Sequence, residues 1–289
     1  MEVVQNRVMS SKNKEILIVL AKCIIFTIAF SAANSLIHAF NSAFIEGVHG
    51  KPSFVSDNLM IFSIVTHLLF AIGYLVLGNQ LPIANPTLRG FAYIMLIWIS
   101  NYLPQVMGLA GADGEIASVA FSTSIVICDS IGYLFGGLLL GLLFRKLPKR
   151  EKKACSPSSY LKTILLSGIV FPILVIILDQ TMTLLHRPFS AIGAVGVSDG
   201  QRGLFYLIFY GCFIVSGIFI AVFYRMTEYN RASSYGWLIF GLKYDLLLWT
   251  PIVLIMIIFD TEGLPPVMYS LLFLICILGV SWMNGKLLK

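Results

Sequence analysis

Long apolar runs separated by short polar stretches govern this chain from end to end. About 20 consecutive apolar residues cross a bilayer core of roughly 30 Å. The runs predict eight helices, over 15–40, 58–79, 89–110, 116–145, 160–186, 203–226, 235–259 and 265–285. Gly and Pro mark the joints between them: Pro82 and Pro86, Gly108 and Gly111, Pro148, Gly193 and Gly196, then Gly263 with Pro265 and Pro266. The expected fold class is all-α, a polytopic membrane helical bundle of eight transmembrane helices.

Composition narrows the solvent. Of 289 residues, 58% are hydrophobic and 12% charged, and the mean hydropathy is +0.88. A water-soluble chain carries about twice that share of charge, so lipid is the expected surround. The first apolar run is too long for a cleavable signal and has no small-residue cleavage site close behind it, so it reads as a retained helix. Eight spans with short loops leave no soluble domain of useful size.

Charge then orients the bundle. Arg7, Lys12 and Lys14, then Arg89, then the run from Arg145 to Lys162, then Arg225, Arg231 and Lys243, then Lys286 and Lys289 fall on one side. The other side holds Lys51, Arg187 and Arg202 among Glu46, Asp57, Asp113, Glu115, Asp199, Asp260 and Glu262. By the positive-inside rule both termini are cytoplasmic, in a plasma (inner) membrane. The net charge of +6 is explained by this asymmetry, and no nucleic-acid partner is expected. The basic loop Arg145–Lys153 (RKLPKREKK) carries the densest part of the signal.

The chain also looks doubled. A shift of 148 brings Lys14 onto Lys162, Ile16 and Leu17 onto Ile164 and Leu165, and Ser31 onto Asp179. It also lays Ser35-Leu36-Ile37-His38 on Thr183-Leu184-Leu185-His186, and Ser42-Ala43 on Ser190-Ala191. Nearby shifts bring Gly73 onto Gly217 and Pro104 onto Pro251. Each half, 1–150 and 151–289, then holds four helices. An even number makes the repeats parallel, related by an axis along the membrane normal, and repeat interfaces are where transporters place their sites.

Polar groups at membrane depth supply the candidate chemistry. A charged side chain there costs on the order of 2.5–3.5 kcal/mol by insertion scales, so it faces the bundle. Asp129 and His67 fall near the middle of their helices, and Asp179 in the outer half of its own. Lys22 and Lys243 lie close enough to the cytoplasmic edge to snorkel, and Asp245 is within reach of Lys22. One face of the first helix carries Ser31, Asn34 and His38; one face of the fifth carries Asp179, Thr183 and His186. Asn101 and Gln105 flank Pro104. Most of these groups lie from the midplane outward and are expected to line one polar cavity. Ser, Thr and Asn also simply bridge membrane helices, at about 0.6 kcal/mol each. Pro104, Pro172 and Pro251 interrupt helices, which is tolerated where backbone packs in protein or lines a cavity. The pairs Gly132/Gly136 and Gly137/Gly141 have the spacing of close helix packing.

Nucleotide-binding, metalloprotease, serine-hydrolase and channel-filter motifs are absent from the sequence. The five Cys form no pair or cluster with metal-ligand spacing, and no cofactor is expected. The expected function is a permease-like transporter of a small solute, coupled to a proton or cation. Asp129 and His67 would work at the midplane, with Asp179, Thr183, His186, Ser31, Asn34 and His38 as an outward vestibule. Two alternatives stand beside it. One is a non-catalytic membrane subunit that partners other membrane proteins in an envelope or export complex. The other is an intramembrane enzyme acting on a lipid-linked substrate through His38, His186 and Asp179.

Overall fold

The computed structural model describes residues 2–49, 58–102, 117–146, 157–184, 199–227, 235–249 and 265–287. Among them the chain is all-helical, with eight α-helices and no strand. They are α1 (Glu2–His49), α2 (Asn58–Val76), α3 (Pro86–Ile97), α4 (Ala117–Leu143), α5 (Pro157–Leu184), α6 (Asp199–Met226), α7 (Gly236–Tyr244) and α8 (Pro265–Leu287).

Local chemistry explains where these helices depart from the expected limits. The first runs well past the expected 15–40 at both ends because no Gly or Pro occurs before Gly47, and its polar flanks are rich in helix formers. The third starts at Pro86 rather than 89. Asn85 caps it, its Oδ1 accepting from Thr87 N at 2.9 Å and Leu88 N at 3.3 Å, and Pro86 takes the first turn, where a missing N–H costs nothing. The third and seventh helices are each interrupted. A wide, π-type turn follows each one, Trp98–Tyr102 after α3 and Asp245–Trp249 after α7. Pro104 and Pro251 stand two residues beyond these turns. A proline has no N–H to close a regular turn behind it, and widened turns are a common accommodation.

Glycines decide which helices approach closely. A Cβ on Gly90 of α3 would lie 2.4 Å from the Gly137 carbonyl oxygen and the Gly141 nitrogen of α4. The neighbouring pair on α4 seats α1 instead: a Cβ on Gly136 would meet the Phe30 ring, and one on Gly132 would meet Asn34 Oδ1. The α4 glycines therefore serve two partner helices, one pair for each. In α6, Gly217 lies against the Ser167 carbonyl and Phe171 of α5.

The packing partners follow. α1 packs on α2 and α4, and α3 on α4; α5 packs on α6 and α8, and α7 on α8. Across the middle, the wide turn after α3 rests on α6, and the wide turn after α7 rests on α2. The core is dominated by aromatic side chains, with Phe26, Phe30, Phe70, Tyr74, Tyr93, Phe144, Phe171, Phe213, Phe223, Tyr224, Phe240 and Tyr244 fully or nearly fully buried. Phe223 of α6 is a meeting point, its ring 5.9 Å from Tyr93 of α3, 6.0 Å from Phe240 and 5.9 Å from Tyr244.

The outer surface is apolar. Ile16, Leu17, Leu20, Ile24, Ile28, Leu161, Leu165, Ile169 and Ile173 are all exposed. Two described stretches, Asn13–Ile37 and Leu161–Leu184, are each long and apolar enough to cross a membrane, with mean hydropathy 2.5.

Candidate functional site

The polar residues singled out from the sequence gather in two groups, one in each half of the chain. The first lies between α1, α2 and α4. Ser31 Oγ and His67 Nδ1 share a hydrogen bond of 2.8 Å, and both residues are buried. The imidazole stacks on Phe30 with ring centroids 4.0 Å apart and planes 23° apart. Phe70 and Tyr133 complete the wall: Tyr133 meets Phe30 edge-on at 5.8 Å and Phe70 at 5.8 Å. The histidine is thus bonded to a hydroxyl and stacked on a ring. Helical spacing places it here, because Ser31 and Phe30 are neighbours on α1, while His67 and Phe70 share a face of α2.

Asn34 lies one turn further along α1, over the bare backbone of Gly132. Its Oδ1 is buried and has no hydrogen-bond partner among the described residues. The same is true of Thr66 Oγ1 beside His67, and of Trp98 Nε1, whose ring lies 6.4 Å from Tyr133. Asp129 stands one turn before Tyr133 on α4 and is half-buried. The first group thus joins His67 and Ser31 directly, with Asn34 and Asp129 on adjoining turns.

The second group lies between α5 and α6. Asp179 is fully buried, and Tyr210 OH donates to its Oδ2 at 2.6 Å. Tyr206 stacks on Tyr210, with ring centroids 6.1 Å apart and planes 17° apart. Thr183 sits above Asp179, but its hydroxyl donates to the Asp179 main-chain carbonyl at 2.8 Å and the residue is exposed. That bond ties Thr183 to its own helix. Thr27 and Thr181 do the same, to Cys23 O and Ile177 O. Hydroxyls in helices often bond back to the carbonyl four residues earlier, which the spacing argument for one polar vestibule did not anticipate.

The remaining expected residues are less informative. His38 lies in α1 and Asn101 in the wide turn after α3; Gln105 and His186 lie outside the described residues. Lys22 has its Nζ 5.7 Å from the centre of the Phe144 ring. A cation over an aromatic face is a favourable end for a long stem.

Residues that the sequence did not single out complete the picture. Tyr210 was hidden among many aromatics, and the i, i+4 spacing of Tyr206 and Tyr210 was the available signal. Ser100, buried in the wide turn after α3, hydrogen-bonds to the buried Tyr244 hydroxyl at the end of α7. Arg89 is the largest fully buried side chain, and its Nη1 donates to Asn79 Oδ1 at 3.3 Å. Among the described residues no three His, Cys, Asp or Glu side chains gather to hold a metal ion.

The chain matches no protein-family model, no curated protein and no solved structure. Any reading of function therefore comes from the residues themselves.

Proposed function

We propose that this chain is a multi-pass plasma-membrane protein of eight transmembrane helices, built from two parallel four-helix repeats, and that it carries a small solute across the bilayer. The apolar exterior, the two membrane-length stretches and the alternation of basic and acidic loops support the membrane placement with both termini cytoplasmic. The repeat is supported by packing. First-on-second, first-on-fourth and third-on-fourth helix contacts recur in both halves. The wide turns recur too, 147 residues apart, the same distance that joins Pro104 to Pro251.

One observation carries the transport reading. Each half holds a polar pair between its first two helices, Ser31 with His67 and Asp179 with Tyr210. Ser31 and Asp179 coincide under the shift of 148. Buried hydrogen-bonded pairs, each with one ionisable member and each between the first two helices of its half, are suited to alternating access around repeat-related sites. In this reading His67, with Asp129 one turn from its aromatic wall, handles a proton or cation. Asp179 and Tyr210 hold the second polar station. Uptake by proteoliposomes of a mixed pool of small solutes, read by mass spectrometry, is expected to collapse in the Asp129→Asn, Asp179→Asn double variant. Full-rate uptake by that variant would remove the mechanism.

A further inference from the structure

Each polar pair lies inside one half, so it travels with that half if the halves move. The hydrogen bond between Ser100 and Tyr244 instead crosses from one half to the other. The Tyr244 hydroxyl, at the end of α7, meets Ser100 Oγ in the wide turn after α3, and both residues are buried. Ser100 Oγ also donates to the Ile97 carbonyl at 3.3 Å. A serine hydroxyl has one proton to give, so the phenol is the donor across the boundary. The bond therefore runs from the second half, through Ser100, to the last residue of α3.

The contacts around this bond are of another kind. The wide turn Trp98–Tyr102 rests on α6, and Asp245–Trp249 rests on α2. Phe223 of α6 lies 5.9 Å from the Tyr93 ring of α3 and 5.9 Å from the Tyr244 ring, and Phe240 stacks on Tyr244 at 5.6 Å. Apolar contact is non-directional, so rings can slide on one another and keep it. A hydroxyl–hydroxyl bond holds only while its oxygens stay roughly 2.5–3.0 Å apart and well aligned. Both side chains are short of reach, serine with one rotatable bond and tyrosine with a rigid ring. Wide helical turns are frequent at functional sites. We propose that the Ser100–Tyr244 bond is a latch between the halves, which holds the arrangement seen here and breaks as the bundle passes to its other access state. This deepens the transport reading, on which the second state rests. The bond stabilises only the latched state, so losing it shifts the population toward the other. One buried hydrogen bond amounts to a factor of about ten in the ratio of two such states.

Hydrogen–deuterium exchange of the full chain in lipid nanodiscs, read by mass spectrometry, tests this without any transported solute. Alternating access opens one rim of a bundle as it closes the other. Tyr244→Phe is therefore expected to raise exchange at the helix ends of one rim, by up to about tenfold, and to lower it at the opposite rim, in both halves. Ser100→Ala removes the acceptor and is expected to repeat the pattern; it serves alone should Tyr244→Phe fail to fold. Tyr210→Phe also removes a phenol hydroxyl, but one bonded within a half, and its changes are expected to stay on α5 and α6. Changes confined to the two wide turns, or no change at all, in whichever of the two latch variants folds would overturn the latch. So would an equal rim-to-rim pattern in Tyr210→Phe, which would mark a general loosening. Opposed changes at the two rims without uptake would count against transport alone. Uptake with changes confined to the turns would count against the latch alone.

Discussion

The α1–α2 pair and the α5–α6 pair solve one geometric problem with opposite chemistry. Under the proposed repeat they are equivalent, yet the ionisable group has changed sides. In the first pair the hydroxyl, Ser31, is on the leading helix, and the ionisable His67 is on the second. In the other pair the carboxylate, Asp179, is on the leading helix and the hydroxyl, Tyr210, on the second. The surroundings differ as well. His67 is stacked at 4.0 Å on Phe30 and walled by Phe70 and Tyr133. Asp179 is met by the phenol of Tyr210, with the Tyr206 ring behind it. Each helix pair thus keeps a buried hydrogen bond while presenting its own charge type.

Six substitutions test how far the two regions are alike. The largest effect is expected from the glycines beneath them. A Cβ on Gly217 would sit 2.3 Å from the Ser167 carbonyl oxygen, which is backbone and cannot turn aside. A Cβ on Gly136 would meet the Phe30 ring at 2.7 Å, and that ring can rotate. Gly217→Ala should therefore cost about 3 kcal/mol, with Gly136→Ala well below it; equal shifts in thermal midpoint would mean the two seams are equally rigid. Next comes His67→Ala, expected to cost about 2 kcal/mol by opening a gap against Phe30 and stripping Ser31 of its partner. Its signature is partial recovery on His67→Phe, which refills the volume without the hydrogen bond. Tyr210→Phe removes a half-buried donor to the buried Asp179 and leaves the ring, so a loss of about 1.5 kcal/mol in denaturant unfolding is the expected result. A neutral outcome there would say that the Asp179 carboxyl is held by its other surroundings. The smallest effect belongs to Ser31→Ala, about 0.6 kcal/mol, typical of a membrane-helix hydrogen bond. If it exceeds Tyr210→Phe, the ranking of the two pairs is inverted.

Much of this was legible in the chain. The apolar runs marked all eight helices, because a helix that buries little polar surface must be apolar along its length. The small-residue spacing of α4 marked a close-packing helix, and Pro104 and Pro251, which lie outside the described residues, stand two positions past the two wide turns. Spacing also put Ser31 and Asp179 on inward faces. What spacing lacked was the partner. Tyr210 is one of 12 tyrosines and Ser100 one of many serines, and nothing local tells which one meets a group 31 or 144 residues away. Thr183 misled for the converse reason: it lies on the polar stripe, but its hydroxyl is satisfied by the carbonyl one turn back.

By itself, then, the sequence determined the helices, their interruptions, the apolar exterior and the charge asymmetry. All of these follow from hydropathy and backbone chemistry acting within a few turns. Only the tertiary structure decided that His67 stacks on Phe30, that Asp179 is met by Tyr210, and that the two wide turns cross to rest on each other's half. Those contacts depend on which helix lies beside which. That choice is made by backbone approach at Gly90, Gly137, Gly141 and Gly217, where the absence of a side chain, read over distances far longer than a helical turn, admits one neighbour and excludes the rest.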